Sequence, residues 1–244
     1  MKLNFIQTAL AILFCSYSCN KDNVETPNEG LLKYKYWFQT STNSIPTKTY
    51  EYLYDRHSRL ERINYIGSGD IFEYESYSYN SANQLKTKLF YSFANDSIGW
   101  VLVDSCSYNY ENNLLVLEDN YYPYPNDIHF SSKYEYENSK IVRKNNYTNQ
   151  QFSSSTIYYY ENNVCTKESI FDDYELTRPN FYILHYYDEN LLMKSEKYRL
   201  PQNAKFQVIT YTYNNAGKLI TEEGNKTDWE VVAPMEYYIK YEYY

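Results

Sequence analysis

Few residues in this chain are of the types that do covalent or metal chemistry, and their spacing keeps most of them apart. The histidines are His57 in a turn-like stretch, His129 just past a proline-rich segment, and His185 in HYYDENLL. An imidazole titrates near neutral pH and makes a good base or metal ligand. None of the three stands in a HExxH pattern, however, and no GxSxG, phosphate-loop or CxxC spacing occurs. His185 holds a slot that tyrosine fills in the related stretches, so it reads as a substitution within a repeat. Asp172-Asp173 and Glu222-Glu223 are paired carboxylates, suited to cation binding or proton transfer; in an acidic chain such pairs are also ordinary surface. Cys106 and Cys165 have the option of one disulfide in an oxidising compartment. Because they fall in non-adjacent repeats, two free thiols at core positions is the favoured reading. These residues point to no enzyme, no cofactor and no metal site.

The stronger chemical signal is non-covalent. Tyrosine accounts for 34 of 244 residues, and an exposed rigid aromatic is an economical contact for a sugar ring or a protein surface. Asn120-Tyr121-Tyr122-Pro123-Tyr124-Pro125 places aromatics where a connection should be polar, and Trp100 and Trp229 each follow a polar turn. Trp100, Tyr121, Tyr122, Tyr124 and Trp229 are therefore the candidate ligand contacts. The competing reading is structural: tryptophans cap repeat ends, and tyrosine suits a half-buried pleated surface.

Those residues must be positioned by a repeat. YLYDRHSRL, YSYNSANQL, YNYENNLL, YEYENSKI, YYYENNVC, HYYDENLL and YTYNNAGKL begin at 52, 77, 108, 134, 158, 185 and 211, and Tyr241 opens a truncated eighth copy. A spacing of this order marks an architecture stacked from one supersecondary unit. Alternating tyrosines ahead of Asn, Asp or Gly make the unit a β-hairpin. Asn112-Asn113, Asn138-Ser139, Asn162-Asn163 and Glu189-Asn190 suit two-residue turns with positive φ. In the other three copies the loop is one residue longer, with Ser58, Asn83 and Gly217 at its left-handed position. In this register the second tyrosine of each copy opposes Leu60, Leu85, Leu115, Ile141, Cys165, Leu192 or Leu219, an apolar ladder on one face. The first then opposes Arg62, Thr87, Leu117, Arg143, Lys167, Lys194 or Thr221, and the other face is mixed and solvated.

The motif resembles the YD or RHS repeat, a tyrosine-aspartate hairpin known from large secreted shells, over most of the chain from about Tyr34. With the amino-terminal features below, it also resembles uncharacterised Bacteroidota lipoproteins described as having a porin-like barrel. Both resemblances imply a long antiparallel meander that curves round on itself. The expected fold is all-β, an antiparallel meander of about 14 to 16 strands from seven to eight hairpin repeats, curled into a soluble barrel or shell. Closure would remove both edges, and the half-units Tyr34-Lys35-Tyr36 and Tyr241-Glu242-Tyr243 are the segments to pair for it. A barrel this wide must flatten or enclose a polar, aromatic-lined space.

The first residues have the layout of a secretory signal: Lys2, an apolar run from Leu3 to Phe14, then small residues before a cysteine. The run is well short of the ~20 residues needed to span a bilayer. Ser16-Tyr17-Ser18-Cys19 resembles a bacterial lipobox, with Ser16 where an aliphatic is preferred, which implies lipidation of Cys19. Residues 1–18 are then a lipoprotein signal peptide, 19–30 a flexible tether and 31–244 one tyrosine-rich β-repeat domain. Losing Lys2 with the signal moves the formal net charge from −8 to −9, which disfavours nucleic acid as a partner. The expected protein is a non-enzymatic outer-membrane lipoprotein on the cell surface or the periplasmic face. It contacts the membrane through its lipid alone and binds a glycan or a peptide; the alternative is a scaffolding part of an envelope protein complex.

Overall fold

A computed structural model describes residues 30–39, 42–123, 127–173, 175–226 and 235–244. Sixteen antiparallel strands follow one another: β1 (Leu32–Phe38), β2 (Lys48–Tyr54), β3 (Leu60–Gly67), β4 (Asp70–Tyr79), β5 (Leu85–Asn95), β6 (Gly99–Glu111), β7 (Leu114–Tyr122), β8 (Ile128–Glu137), β9 (Lys140–Thr148), β10 (Gln151–Glu161), β11 (Val164–Phe171), β12 (Phe181–Asp188), β13 (Leu191–Arg199), β14 (Ala204–Tyr213), β15 (Leu219–Lys226) and β16 (Met235–Tyr243). Each pairs with its neighbours in sequence, and β1 pairs with β16 to close a barrel. The closing pair joins the two half-units: Tyr34 opposes Glu242, Lys35 opposes Tyr241 and Tyr36 opposes Lys240. No strand is left with an open edge.

Local chemistry accounts for the turns. In the four repeat copies with two-residue turns both central residues have positive φ, for example 50° and 66° at Asn112 and Asn113, the type I′ geometry that matches strand twist. Ser58, Asn83 and Gly217 are left-handed, with φ of 58°, 61° and 73°. In these longer loops the preceding short side chain organises the backbone. Asp55 Oδ1 accepts the amides of His57 and Arg59, and Asn80 and Asn214 do the same for Ala82 and Gln84 and for Ala216 and Lys218. The shorter turns need no such bond, and Glu precedes three of them.

The register departs from the simple hairpin in one systematic way. Tyr110 opposes Leu115 as expected, but Asn109 then opposes Leu117 and Tyr108 opposes Glu118, so Val116 is an extra residue. The same one-residue bulge recurs at Glu61, Lys86, Val142, Thr166, Met193 and Ile220, and at Lys33 where β1 meets β16. The first-tyrosine slot therefore opposes Ile63, Lys88, Glu118, Lys144, Glu168, Ser195 or Glu222. The partners expected from an unbulged ladder, Arg62, Thr87, Leu117, Arg143, Lys167, Lys194 and Thr221, belong to the outer face instead. A bulge bends its strand and adds right-handed twist, which a closing sheet needs at every hairpin.

The second tyrosines close the repeat units onto one another. The β7–β8 ladder ends at Leu117 opposite Lys133, leaving the Leu115 carbonyl past its end. The Tyr136 hydroxyl donates to that carbonyl at 2.8 Å. Tyr54, Tyr79, Tyr160, Tyr187, Tyr213 and Tyr243 donate in the same way to Leu32, Leu60, Ile141, Cys165, Leu192 and Leu219, at 2.7 to 2.9 Å. Each hydroxyl thus replaces a ladder bond that the staggered strands cannot make.

Inward positions include Tyr52, Ile63, Cys106, Leu219 and Ile239, all buried, while most luminal tyrosines are half-buried. Outward positions such as Ser78, Asn109, Glu135, Thr210, Thr212, Glu223 and Lys240 are exposed and polar. The barrel has two unlike ends. Tight turns and the chain ends share one, where the Gly30 amide meets the Tyr244 carbonyl at 3.1 Å. The remaining connections occupy the other, the loop end.

Candidate functional site

Because the bulge turns Glu118, Glu168 and Glu222 inward, the lumen carries carboxylates as well as tyrosines. Most are clamped by phenols. Glu75 accepts from Tyr65 at 2.9 Å and from Tyr77, with Lys88 Nζ at 3.7 Å. Glu118 accepts from Tyr134 at 2.8 Å, and Glu222 from Tyr237 at 2.9 Å and Tyr241 at 3.2 Å. Burial first, and then the adjacent carboxylate charge, raises Tyr65, Tyr77, Tyr134, Tyr237 and Tyr241, so these phenols stay protonated donors. Gly224 makes one clamp possible, because a Cβ there would lie 2.1 Å from the Tyr237 ring.

Two inward groups lie outside this pattern. Asp104 is 5% exposed, and its Oδ1 has no hydrogen-bond partner among the described residues. Burial raises its carboxyl, with Lys88 opposing. At β11 to β13, Cys165 Sγ, a Glu168 carboxylate oxygen and an imidazole nitrogen of His185 all lie within 4.8 Å of one another. His185 Nε2 is 3.0 Å from Glu168 Oε1, and Nδ1 is 2.9 Å from Ser195 Oγ. Glu168 and Ser195 are buried, and burial pushes the Cys165 thiol up to about 12. This is the one group of metal-ligating side chains that comes together among the described residues. The paired carboxylates do not join it; Asp172 and Asp173 instead hold Asn180 and Thr177 in a connection. Cys106 and Cys165 are both free thiols.

The outer wall carries a second feature. Tyr74 stacks on Tyr91 at 4.8 Å and meets Trp100 edge-on at 4.7 Å, and Trp100 meets Phe93 at 5.4 Å. The Arg62 guanidinium sits 3.8 Å over the Tyr74 ring. Its Nε donates to Asn64 at 2.6 Å, whose amide donates to Glu51 at 2.8 Å. Leu53, Glu61, Arg62, Tyr74, Ser76 and Tyr91 line a groove of about 470 Å³ beside this platform, within the size range of small-ligand sites.

The candidate contacts do not form one site. Trp100 belongs to the outer platform and is 39% exposed. Tyr121 faces outward on β7, stacked on His129 at 4.6 Å and bonded to Asp127 at 2.5 Å. Tyr122 faces the lumen against Phe130 at 5.5 Å, and burial and then Asp104 push its phenol up to about 12. Strand alternation thus puts adjacent tyrosines on opposite faces. Cys19, Tyr124 and Trp229 lie outside the described residues. His185 was legible only as a departure from the repeat, and Glu168 and Ser195 were missed because no sequence signal announced the bulges.

The geometry defines a class: closed antiparallel barrels with a tyrosine- and carboxylate-lined lumen. No family model and no curated protein matches the chain. Among solved structures it is similar to a porin-like protein from Bacteroides uniformis, with a TM-score of 0.52 and 10% identity over 90% of this chain and 100% of that one. A weaker likeness, TM-score 0.34 with 13% identity, links 78% of this chain to 10% of a chain in the TcdB2-TccC3-Cdc42 complex.

Proposed function

We propose that the chain is an envelope lipoprotein, anchored through Cys19, whose barrel binds a glycan in the outer groove without catalysing a reaction. The observation that carries this is the aromatic platform of Tyr74, Tyr91 and Trp100 beside the Arg62–Asn64–Glu51 chain. Sugar rings present apolar faces to aromatics and hydroxyls to charged and hydroxyl groups, and Tyr74 and Tyr91 line the groove together with Arg62, Glu61 and Ser76. The wall does not face lipid, in this reading, because exposed polar positions such as Ser78, Asn109, Glu135, Thr210, Thr212, Glu223 and Lys240 interrupt its exposed apolar residues, where a spanning barrel needs an apolar band about 25 Å tall.

A glycan array probed with the chain from residue 20 onward tests the reading. Binding is expected and should weaken about tenfold or more in Trp100→Ala and Arg62→Ala, a loss of roughly 1.4 kcal/mol. No glycan binding, or binding indifferent to both substitutions, refutes it. The scaffolding alternative draws on Ile71, Phe72, Phe93, Ile98 and Val101, apolar residues exposed toward the loop end. It predicts a stoichiometric protein partner that Ile98→Asp releases in a pull-down from membranes.

A further inference from the structure

Two departures from the repeat coincide in space. Seven copies, counting the truncated one, carry tyrosine in the first slot, and only HYYDENLL carries His185. The apolar ladder is Leu or Ile except at Cys165. The bulge at Thr166 and the β11–β12 pairing bring both into the lumen beside Glu168, with their ligating atoms inside 4.8 Å. We propose that Cys165 Sγ, Glu168 Oε1 and His185 Nε2 form a luminal site for a divalent transition-metal ion, with zinc the best match.

The donor set argues for that class of ion. Thiolate and imidazole favour zinc and its neighbours over magnesium or calcium, which prefer oxygen. With metal–ligand distances of roughly 2.0 to 2.3 Å, tetrahedral ligands stand about 3.3 to 3.7 Å apart. The longest separation therefore shortens by about an ångström while the 3.0 Å Nε2–Oε1 pair opens by a few tenths, within reach of small side-chain rotations. Three protein ligands leave the fourth position to water.

The arrangement around the imidazole points the same way. Nδ1 lies 2.9 Å from Ser195 Oγ and Nε2 lies 3.0 Å from Glu168 Oε1. Without metal, an Nε2–H donating to Glu168 and a Ser195 hydroxyl donating to Nδ1 satisfy both; metal binding selects the tautomer in which Nδ1–H donates to Ser195 Oγ and Nε2 is free to ligate. Ser195 then fixes the ring and its tautomer from the remote nitrogen, the task that outer hydrogen-bond partners perform for metal-bound histidines. Lysines of the same strands do not occupy the site: Lys167 lies over Tyr159 and Tyr182 and Lys194 over Tyr186, on the outer face, and the inward Lys197 lies over Phe181 and Phe206. Binding replaces the thiol proton of Cys165 by the metal and releases that proton to solvent, with no change of oxidation state.

The test uses the purified mature chain, stripped with chelator and titrated with Zn²⁺ or Co²⁺ alone. The expected result is one ion per chain, with a thiolate-to-cobalt charge-transfer band and release of one proton. His185→Tyr and Cys165→Leu each restore the repeat's own residue, so the barrel should keep its circular dichroism while losing the ion and the band. Ser195→Ala should weaken binding ~10- to 100-fold, and Cys106→Ser should leave it intact. The proposal is overturned by less than one ion bound, by a cobalt complex without the thiolate band, or by His185→Tyr binding as the parent does.

Discussion

Tyr136→Phe removes one hydroxyl and nothing else, and it isolates the bond by which one hairpin holds the next. Tyr136 Oη donates to the Leu115 carbonyl at 2.8 Å, beyond the last β7–β8 pair. A hydrogen bond of this kind contributes about 1 kcal/mol net, and a carbonyl that water can still reach sets the loss at or below that value. With a urea slope near 3 kcal/mol/M, the upper end for such chains, the midpoint should fall by about 0.3 M. Tyr79→Phe and Tyr187→Phe remove equivalent bonds two strand pairs away in either direction. The triple variant should therefore lose about 3 kcal/mol, roughly 1 M in midpoint, because separated sites add. The control is internal. Tyr110 holds the same slot, yet its hydroxyl has no such bond among the described residues, so Tyr110→Phe should be close to neutral. Urea unfolding followed by circular dichroism and tryptophan fluorescence reads all four variants. A cost at Tyr110 equal to that at Tyr136, or a triple variant as stable as the parent, would show that the tyrosines act by ring packing alone.

Two further predictions concern charge and anchoring. On the outer face Glu196 accepts from Tyr198 at 2.7 Å and Tyr186 at 2.9 Å, with Lys205 at 3.1 Å and Lys194 at 3.2 Å. Chiefly through Tyr198, these partners hold its carboxyl at about 2, below the ordinary 4.5. A depressed acid stabilises the fold above its unfolded value and loses that contribution as pH falls through the folded one. Glu196→Gln should thus be destabilised by a constant margin from pH 5 to 8, and thermal melts should show the margin closing between about pH 5 and 2; an unchanged gap at pH 2 would contradict the assignment. Cys19→Ala, expressed in a host that lipidates, should move the protein from the membrane fraction to the soluble one, and unaltered partitioning would exclude a Cys19 anchor.

The wall was largely legible in the sequence because each part of it is specified locally. Asn112-Asn113 and its counterparts announce their turns by the left-handed backbone that Asn tolerates, and the two half-units announce closure by matching. The long-loop copies even carry the short Asx side chain that their turns use. What was not legible is the bulge. Val116 is an ordinary strand residue, and nothing in its chemistry distinguishes a bulged position from a paired one; the extra residue is set by how a closing sheet must coil. Missing it exchanged the faces of β3, β5 and their equivalents past the turn, so Glu168 and Ser195 went unread although His185 stood out as a departure from the repeat and Cys165 was placed on the inward ladder. Tyr121 and Tyr122 were grouped for a different reason: their segment reads as a connection, whereas β7 runs through Tyr122 and strand alternation puts the two on opposite faces.

The bulged repeat has separate places for structure and for chemistry. Every hairpin carries its bulge at the same place, and the tyrosine-to-carbonyl bonds recur in seven of the eight second-tyrosine positions, so the wall's curvature is carried by backbone pairing and by the second-tyrosine slot. The first-tyrosine slot and its partner across the bulge carry no such duty. Their partners range from Ile63 to Lys88, Glu118 and Ser195 without any change in strand register. Side chains facing the lumen from these slots are therefore free to vary while the barrel stays closed. A histidine in a first-tyrosine slot then departs from the repeat without touching the bulges or the tyrosine-to-carbonyl bonds, and the neighbouring Cys165 keeps a small apolar side chain in the ladder and its carbonyl bond to Tyr187, so a ligand site can arise here with the wall intact.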